Sequence, residues 1–234
     1  MLNKLENSIK LKKLFSLLRD IPFFFLDYFL IIFSFLKNLI LKRELYKKNL
    51  VFVTGADNSF FESLVQLVDH FQNKFPNNTL IIYNLGINER KLSNLISSYP
   101  NIIVKQFNFH EYPTFYSKKD NFKKLGSYAW KSAIIYEVTK EYESQVIWMD
   151  TGNLVKGKLI FLRIVLSAFG FVSPFSVGSI KEWTHPSVLD VLSVKSNISK
   201  KRNLTGGLVG FDYSNENSMK LLKDWFTFSK DEKY

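Results

Sequence analysis

From Leu50 onward, short apolar runs alternate with segments whose apolar positions recur every three or four residues. Leu50-Val51-Phe52-Val53-Thr54 is a β-rich run closed by Gly55. Across 60–75, Phe61, Leu64, Val65, Val68 and Phe71 fall on one helical face. Pro76-Asn77-Asn78 ends that helix, and Leu80-Ile81-Ile82-Tyr83 predicts a second strand, closed by Leu85-Gly86. Residues 88–98 read as a helix stopped near Pro100, and Ile102-Ile103-Val104 as a third strand. Residues 105–123 read as a loop, 127–143 as a helix, and Val146-Ile147-Trp148-Met149 as a buried strand ending on Asp150. Beyond it come a weaker strand at 169–173 and a His185-Pro186 turn entering a helix. A segment at 204–211 contains Gly206-Gly207, and a helix follows at 216–228. Strands and helices alternating at this spacing predict an α/β domain, a mostly parallel sheet with flanking helices.

The first 48 residues follow a different rule. Residues 21–41 hold 16 apolar residues in 21, interrupted by Asp27 and Lys37. That length could span a bilayer. Yet Lys13, Asp20, Asp27, Ser34 and Asn38 recur at steps of seven or four, which makes one polar stripe on a helix. A spanning helix facing lipid all round would not need the stripe; a helix lying in a membrane interface, or packed on a partner, would, and the interfacial helix is preferred, with a single-pass anchor and a helix covering its own domain as alternatives. No small-residue cleavage site follows the apolar run, so it does not read as a secretory signal. The chain divides accordingly into a basic amphipathic segment, 1–48, and an α/β domain, 49–234.

Charge sharpens that division. The net charge is +11, and residues 1–48, with ten Lys/Arg against four Asp/Glu, carry +6 of it. An anionic partner is implied: a phosphate-bearing ligand, a nucleic acid or lipid headgroups. Zero Cys excludes disulfides, thiolate metal sites and Cys nucleophiles. Lysines cluster at 118–124 and 200–202, but no helix-turn-helix, zinc motif or aromatic RNA-binding run accompanies them, so nucleic acid is not expected as a partner.

Few residues carry candidate chemistry. The Thr54-Gly55-Ala56-Asp57 turn follows the first strand, where Gly lets backbone amides approach a phosphate or base. It is neither a dinucleotide fingerprint nor a P-loop, and Asp57 or Ser59 could equally be a helix N-cap. Asp150 ends a buried strand, where open α/β sheets present ligand groups. A carboxylate there suits a hard divalent cation bridging a diphosphate, or it caps the following turn. Lys131 lies three residues after Tyr128 on a largely apolar helix and could reach a phosphate or stay solvated. His185 is a ligand, an acid–base group or a turn residue. Gly206-Gly207 marks backbone passing close to a ligand, or a tight bend.

Four segments in order resemble nucleotide-diphospho-sugar transferases of the GT-A type. They are VFVTGADNSFFESL at 51–64, YAWKSAIIYEVTKEYESQVIWMDTGN at 128–153, THPSVLDVL at 184–192 and NLTGGLVGFD at 203–212. The resemblance covers about 51–228 and is most specific in the second segment. It implies a GT-A-like, Rossmann-related fold preceded by the helical leader. It also implies a sugar transferred from a nucleotide donor, UDP- or GDP-linked, to a hydroxyl of a glycan or lipid-linked acceptor near a membrane. Thr54, Gly55, Ala56 and Asp57 would face base and ribose, with Lys131 framing the donor site. Asp150 would stand at the metal-binding acid motif and hold Mn²⁺ or Mg²⁺. His185, Gly206 and Gly207 would lie toward the acceptor or sugar.

Two departures stand against that pattern. Asp150-Thr151-Gly152 lacks the second acid of the motif. The segment of acidic, His and Gln residues that usually follows the Gly-Gly strand also has no counterpart before Tyr234. Both point to an alternative, a non-catalytic or truncated binding module of the same fold. A nucleotidyltransferase with a carboxylate–metal site is a third candidate. No catalytic base is identified.

Overall fold

The computed structural model describes residues 28–40, 50–117 and 128–231. Helix α1 occupies 28–40. Then come β1 (Leu50–Ala56), α2 (Phe61–Lys74), β2 (Thr79–Asn84), α3 (Glu89–Ser98), β3 (Ile103–Gln106), α4 (Trp130–Tyr142) and β4 (Gln145–Met149). The second half runs α5 (Leu159–Phe169), β5 (Phe171–Val172), β6 (Phe175–Ser179), α6 (Ile180–Trp183), α7 (Pro186–Val191), α8 (Ser196–Ser199), β7 (Arg202–Leu204), β8 (Leu208–Asp212) and α9 (Glu216–Ser229).

Six strands form one sheet in the order β3-β2-β1-β4-β8-β5. β1 to β4 are parallel, with Val53 opposite Ile81 on one side and Trp148 on the other. β8 runs antiparallel to β4, pairing Met149 with Leu208 and Gln145 with Asp212. Both faces are covered, as parallel sheets require, which explains the unbroken apolar runs of β1, β2 and β4. One face packs Val51, Val53, Ile81 and Trp148 against α4 and α9; the other packs Phe52, Leu80, Ile82 and Met149 against α2 and α5.

The first half follows the predicted elements closely. The second half differs in three places. α5 (LIFLRIVLSAF) is apolar at nearly every position, so it shows no helical period; it ends on Gly170, whose φ of +78° suits glycine. The expected strand at 204–211 is two strands, because the chain leaves the β6–β7 pair and enters the main sheet as β8, with Gly206-Gly207 at the crossing. The 169–173 strand shrinks to Phe171–Val172.

The described part of the N-terminal segment packs on the domain. Asn38 Nδ2 donates to Ile164 O at 2.9 Å, and the Phe33 ring stacks 6.4 Å from Phe169. The polar stripe faces inward: Ser34 and Asn38 are buried, while Tyr28, Phe29, Ile32, Leu36, Leu39 and Ile40 are exposed. Lys13, Asp20 and Asp27 lie outside the described residues, as does the 118–124 lysine cluster. No helix among the described residues is long and apolar enough to cross a membrane.

Candidate functional site

The chain leaves β1 toward β2 and β3, then returns to β4 on the opposite side of β1. The loops after β1 and β4 therefore diverge, and a crevice opens at their carboxyl ends, where open α/β sheets hold ligands. A cavity of about 280 Å³ occupies this position. That is near the lower end of the roughly 300–1,000 Å³ typical of small-ligand sites. Gly55, Ala56 and Asp57 form one edge; Trp148, Asp150, Thr151 and Gly152 form the other. Tyr128, Trp130, Phe60 and Leu85 supply apolar walls.

Gly55 has a structural task here. A Cβ on it would lie 3.3 Å from the Trp148 ring, 3.5 Å from Trp130 and 3.2 Å from Leu85. The missing side chain is the space into which both indoles pack. Asp57 Oδ1 accepts from Ser59 N at 2.8 Å, so Asp57 lines the pocket and also caps the 3-10 turn Asn58–Phe60. Thr54 is not brought to the cavity. Strand alternation points its side chain to the opposite face from Gly55, where it is fully buried and Oγ1 has no hydrogen-bond partner.

Asp150 is the most heavily partnered residue of the site. Its Oδ1 accepts from Lys131 Nζ at 2.8 Å and from the Trp148 indole Nε1 at 2.6 Å. Its backbone N donates to Gly207 O at 2.8 Å. Lys131 also donates to Gly206 O at 3.0 Å, and its ammonium lies 5.2 Å from the ring centres of both Tyr128 and Trp148. The lysine side chain is only 8% exposed, the aspartate 47%. Asn153 Nδ2 donates to Gly207 O at 2.6 Å. The chain then turns, Asn153 N donating to the backbone Asp150 O at 2.9 Å, while the carboxylate itself is bonded to Lys131 and Trp148.

The predicted residues thus divide. Asp150, Lys131, Gly206 and Gly207 come together at the mouth of β4, and of these Asp150 lines the cavity, opposite Gly55, Ala56 and Asp57. A Cβ on Gly207 would stand 3.3 Å from both Asp150 Oδ2 and Asn153 Nδ2, tighter than an ordinary contact, so a larger residue would push on these side chains. His185 is not part of the cluster. It caps α7, its Nδ1 2.7 Å from Ser187 Oγ, and is exposed. Tyr128, Trp130, Trp148 and Asn153 were not singled out from the sequence. The signal for the two indoles was a Trp at the head of one helix and another near the end of the strand that follows it. Tyr128 also holds a left-handed backbone, φ +67°, beside the pocket.

These residues do not fit a divalent cation. A cation such as Mg²⁺ binds through one or two carboxylates that keep their charge free for it, with waters and substrate phosphates completing its shell. Here Asp150 offers one uncommitted oxygen, Oδ2, beside an ammonium that already balances its charge. Among the described residues there is no group of three or more His, Cys, Asp or Glu able to hold a metal.

Comparison with solved structures gives the fold its class. The bifunctional glycosyltransferase WbbM, in its apo form, matches with a TM-score of 0.50 at 13% identity, over 80% of this chain and 35% of that one. An active-site mutant of LgtC matches at 0.50 and 14% identity, over 77% and 64%. Core-mannan synthase A from Aspergillus fumigatus, in a Mn/GDP form, matches at 0.50 and 10% identity, over 79% and 66%.

The chain has a GT-A-type fold.

It spans less than two-thirds of the length of each of these three proteins. Residues 34–136 match a family described as "Protein of unknown function (DUF1647)". A search of curated proteins gives no match.

Proposed function

We propose that the cavity between β1 and β4 is the donor site of a glycosyltransferase, taking a sugar nucleotide and passing the sugar to a hydroxyl acceptor. One observation carries this reading. At the switch point of a GT-A-type sheet, an aromatic slot of Trp130, Trp148 and Tyr128 lies between two carboxylates, Asp57 and Asp150. A nucleobase stacks on aromatic faces, and carboxylates accept from ribose hydroxyls. A cavity of this size suits a nucleoside, leaving the diphosphate and sugar toward Gly206-Gly207. Gly55, Ala56 and Asp57 border the base and ribose; Lys131 and Asp150 stand at the diphosphate end.

If the sugar is transferred, the acceptor hydroxyl displaces the nucleoside diphosphate at the anomeric carbon and loses its proton. The chain's own residues position the donor: the part-exposed Tyr128 ring, backed by the buried indoles, holds the base, and the Lys131 ammonium stabilises negative charge on the leaving diphosphate. The mannan synthase, captured with manganese and GDP, suggests GDP among the donors to test.

The N-terminal segment supports a second element of the proposal, a membrane surface as partner. α1 buries its polar stripe on α5 and turns an apolar face outward. It lies in a segment, 1–48, of net charge +6, which complements anionic lipid. The domain beyond it, 49–234, would then work at that surface on a glycan or lipid-linked acceptor.

Thermal unfolding of the full chain with UDP, GDP, CDP and their sugars tests the donor site. A ligand at 100 times its Kd adds about 2.7 kcal/mol of stability. One nucleotide is expected to raise the Tm. A cooperatively folding protein that responds to none of them favours the non-catalytic module instead.

A further inference from the structure

We infer that Lys131 takes, at Asp150, the part a divalent cation plays in a metal-dependent donor site, so that this pocket binds a nucleoside diphosphate without a metal ion.

The argument starts from what the carboxylate already holds. Oδ1 receives two donors, Lys131 Nζ at 2.8 Å and Trp148 Nε1 at 2.6 Å. Both come from rigid elements, the first turn of α4 and the end of β4. The ammonium is no loosely attached surface group. Its side chain is 8% exposed, and Gly206 O accepts from it at 3.0 Å. The pair is neutral as a unit, so a cation arriving at Oδ2 meets no net negative charge. The residues that follow bring no further acid: Thr151 and Gly152 come next, Asn153 spends its Nδ2 on Gly207 O, and Asp57 stands at the opposite edge of the cavity, where it accepts from Ser59 N.

The same arrangement meets the needs of a diphosphate directly. An uncompensated Asp150 would repel it, and a metal is one way to remove that repulsion. Lys131 removes it with a fixed charge built into the helix. An ammonium has three N–H donors. Two are used, on Asp150 and Gly206; the third lies beside the rings of Tyr128 and Trp148, which border the cavity, and a phosphate entering there would have to draw it out. Asp150 Oδ2 is then an acceptor for a donor hydroxyl, not a metal ligand. Gly207 keeps that oxygen approachable, since any larger residue would place its Cβ 3.3 Å away.

Lys131 acts in this way only if the pocket is a nucleotide site, the reading on which this inference rests, and the test separates the two. The Kd of UDP and of GDP is measured by calorimetry on the full chain, once in EDTA and once in MnCl₂. The wild type is expected to bind one of them with the same Kd, within about threefold, in both buffers. Lys131→Met should weaken that binding at least tenfold, and Lys131→Arg, which keeps the charge, should retain most of it. A wild-type affinity at least tenfold tighter in Mn²⁺ than in EDTA overturns the metal-free site while leaving the donor-site reading intact. So does a Lys131→Met protein that unfolds normally and binds as the wild type does. Should Lys131→Met fail to fold, the wild-type comparison and Lys131→Arg decide the matter. If neither nucleotide binds in either buffer, the donor-site reading falls, and this inference with it.

Discussion

Removing the Asp150 carboxylate should destabilise the protein, and the amount follows from what it leaves behind. Asp150→Ala strips the partner from an ammonium whose side chain is 8% exposed. It also strips the acceptor from the indole N–H of Trp148, which is buried. Breaking a fully buried ion pair costs about 3–5 kcal/mol. Asp150 itself is 47% exposed, so water can enter the vacated space and solvate the ammonium in part. About 2–3 kcal/mol is the reasonable expectation, or a fall in Tm of roughly 4–12 °C for a chain of this size. The assay is thermal and urea unfolding of the wild type, Asp150→Ala, Lys131→Met and the double variant. In the Lys131→Met background only the Trp148 bond is left to lose, so Asp150→Ala should cost about 1 kcal/mol, giving a coupling of about 1–2 kcal/mol. An acid held ready for a cation behaves oppositely, since unpaired charge at a ligand site is a cost to the empty protein. An Asp150→Ala protein as stable as the wild type, or more so, would refute the pairing argument.

Other outcomes follow from the same geometry. Gly207→Val, whose Cβ would meet Asp150 Oδ2 and Asn153 Nδ2 at 3.3 Å, should reduce nucleotide affinity at least tenfold while lowering the Tm by only a few degrees. Gly170→Ala should be costly to stability with no specific effect on binding: Gly170 sits at φ +78°, and a Cβ there would fall 2.4 Å from Asn215 Cγ, so a loss of more than about 1 kcal/mol is expected in urea unfolding. Tyr83 and Tyr112 both donate to Glu137, and burial, then that carboxylate, hold both phenols well above their usual value of 10.0. The unfolded chain therefore loses these protons first, so the contribution of the two tyrosines should be constant below about pH 10 and fall as pH rises beyond it, and Tyr83→Phe with Tyr112→Phe should flatten the alkaline fall in stability. Phe29→Glu with Leu36→Glu on the outer face of α1 should lower co-sedimentation with anionic vesicles several-fold, and unchanged sedimentation would remove α1 from the membrane contact.

Some of this was legible in the sequence, and the rest was not for identifiable reasons. β1, β2 and β4 read clearly because strands buried on both faces leave unbroken apolar runs, and α2 because only one of its faces is buried. α5 was missed because Leu159–Phe169 is apolar nearly all round, which erases the helical period. The polar stripe of α1 was found in the right register, but pattern alone does not say which side of an isolated helix is covered. Asn38 turns inward to a backbone carbonyl of α5, and the buried Ser34 donates within α1, to Leu30 O. Asp150 was singled out by its place at a strand end, and Lys131 by its apolar neighbours. Their meeting was not legible, since it depends on how α4 lies on the sheet and on Gly206-Gly207 crossing above β4. Thr54 could have been set aside from strand alternation alone: it cannot share a face with Gly55. His185 had only its type to recommend it, and the structure uses it as a helix cap.

Nucleotide binding between β1 and β4 is most directly read from intrinsic tryptophan fluorescence. Two of the chain's four Trp residues, Trp130 and Trp148, line the cavity. The others, Trp183 and Trp225, lie elsewhere, and changing both to Phe isolates the signal. Titration of that variant with UDP, GDP and CDP should give saturable quenching with one of them, lost when Gly152→Phe, at a lining position with open space around it, fills the pocket. Binding that leaves the fluorescence of Trp130 and Trp148 unchanged, or quenching that persists in Gly152→Phe, would contradict a donor site at this position.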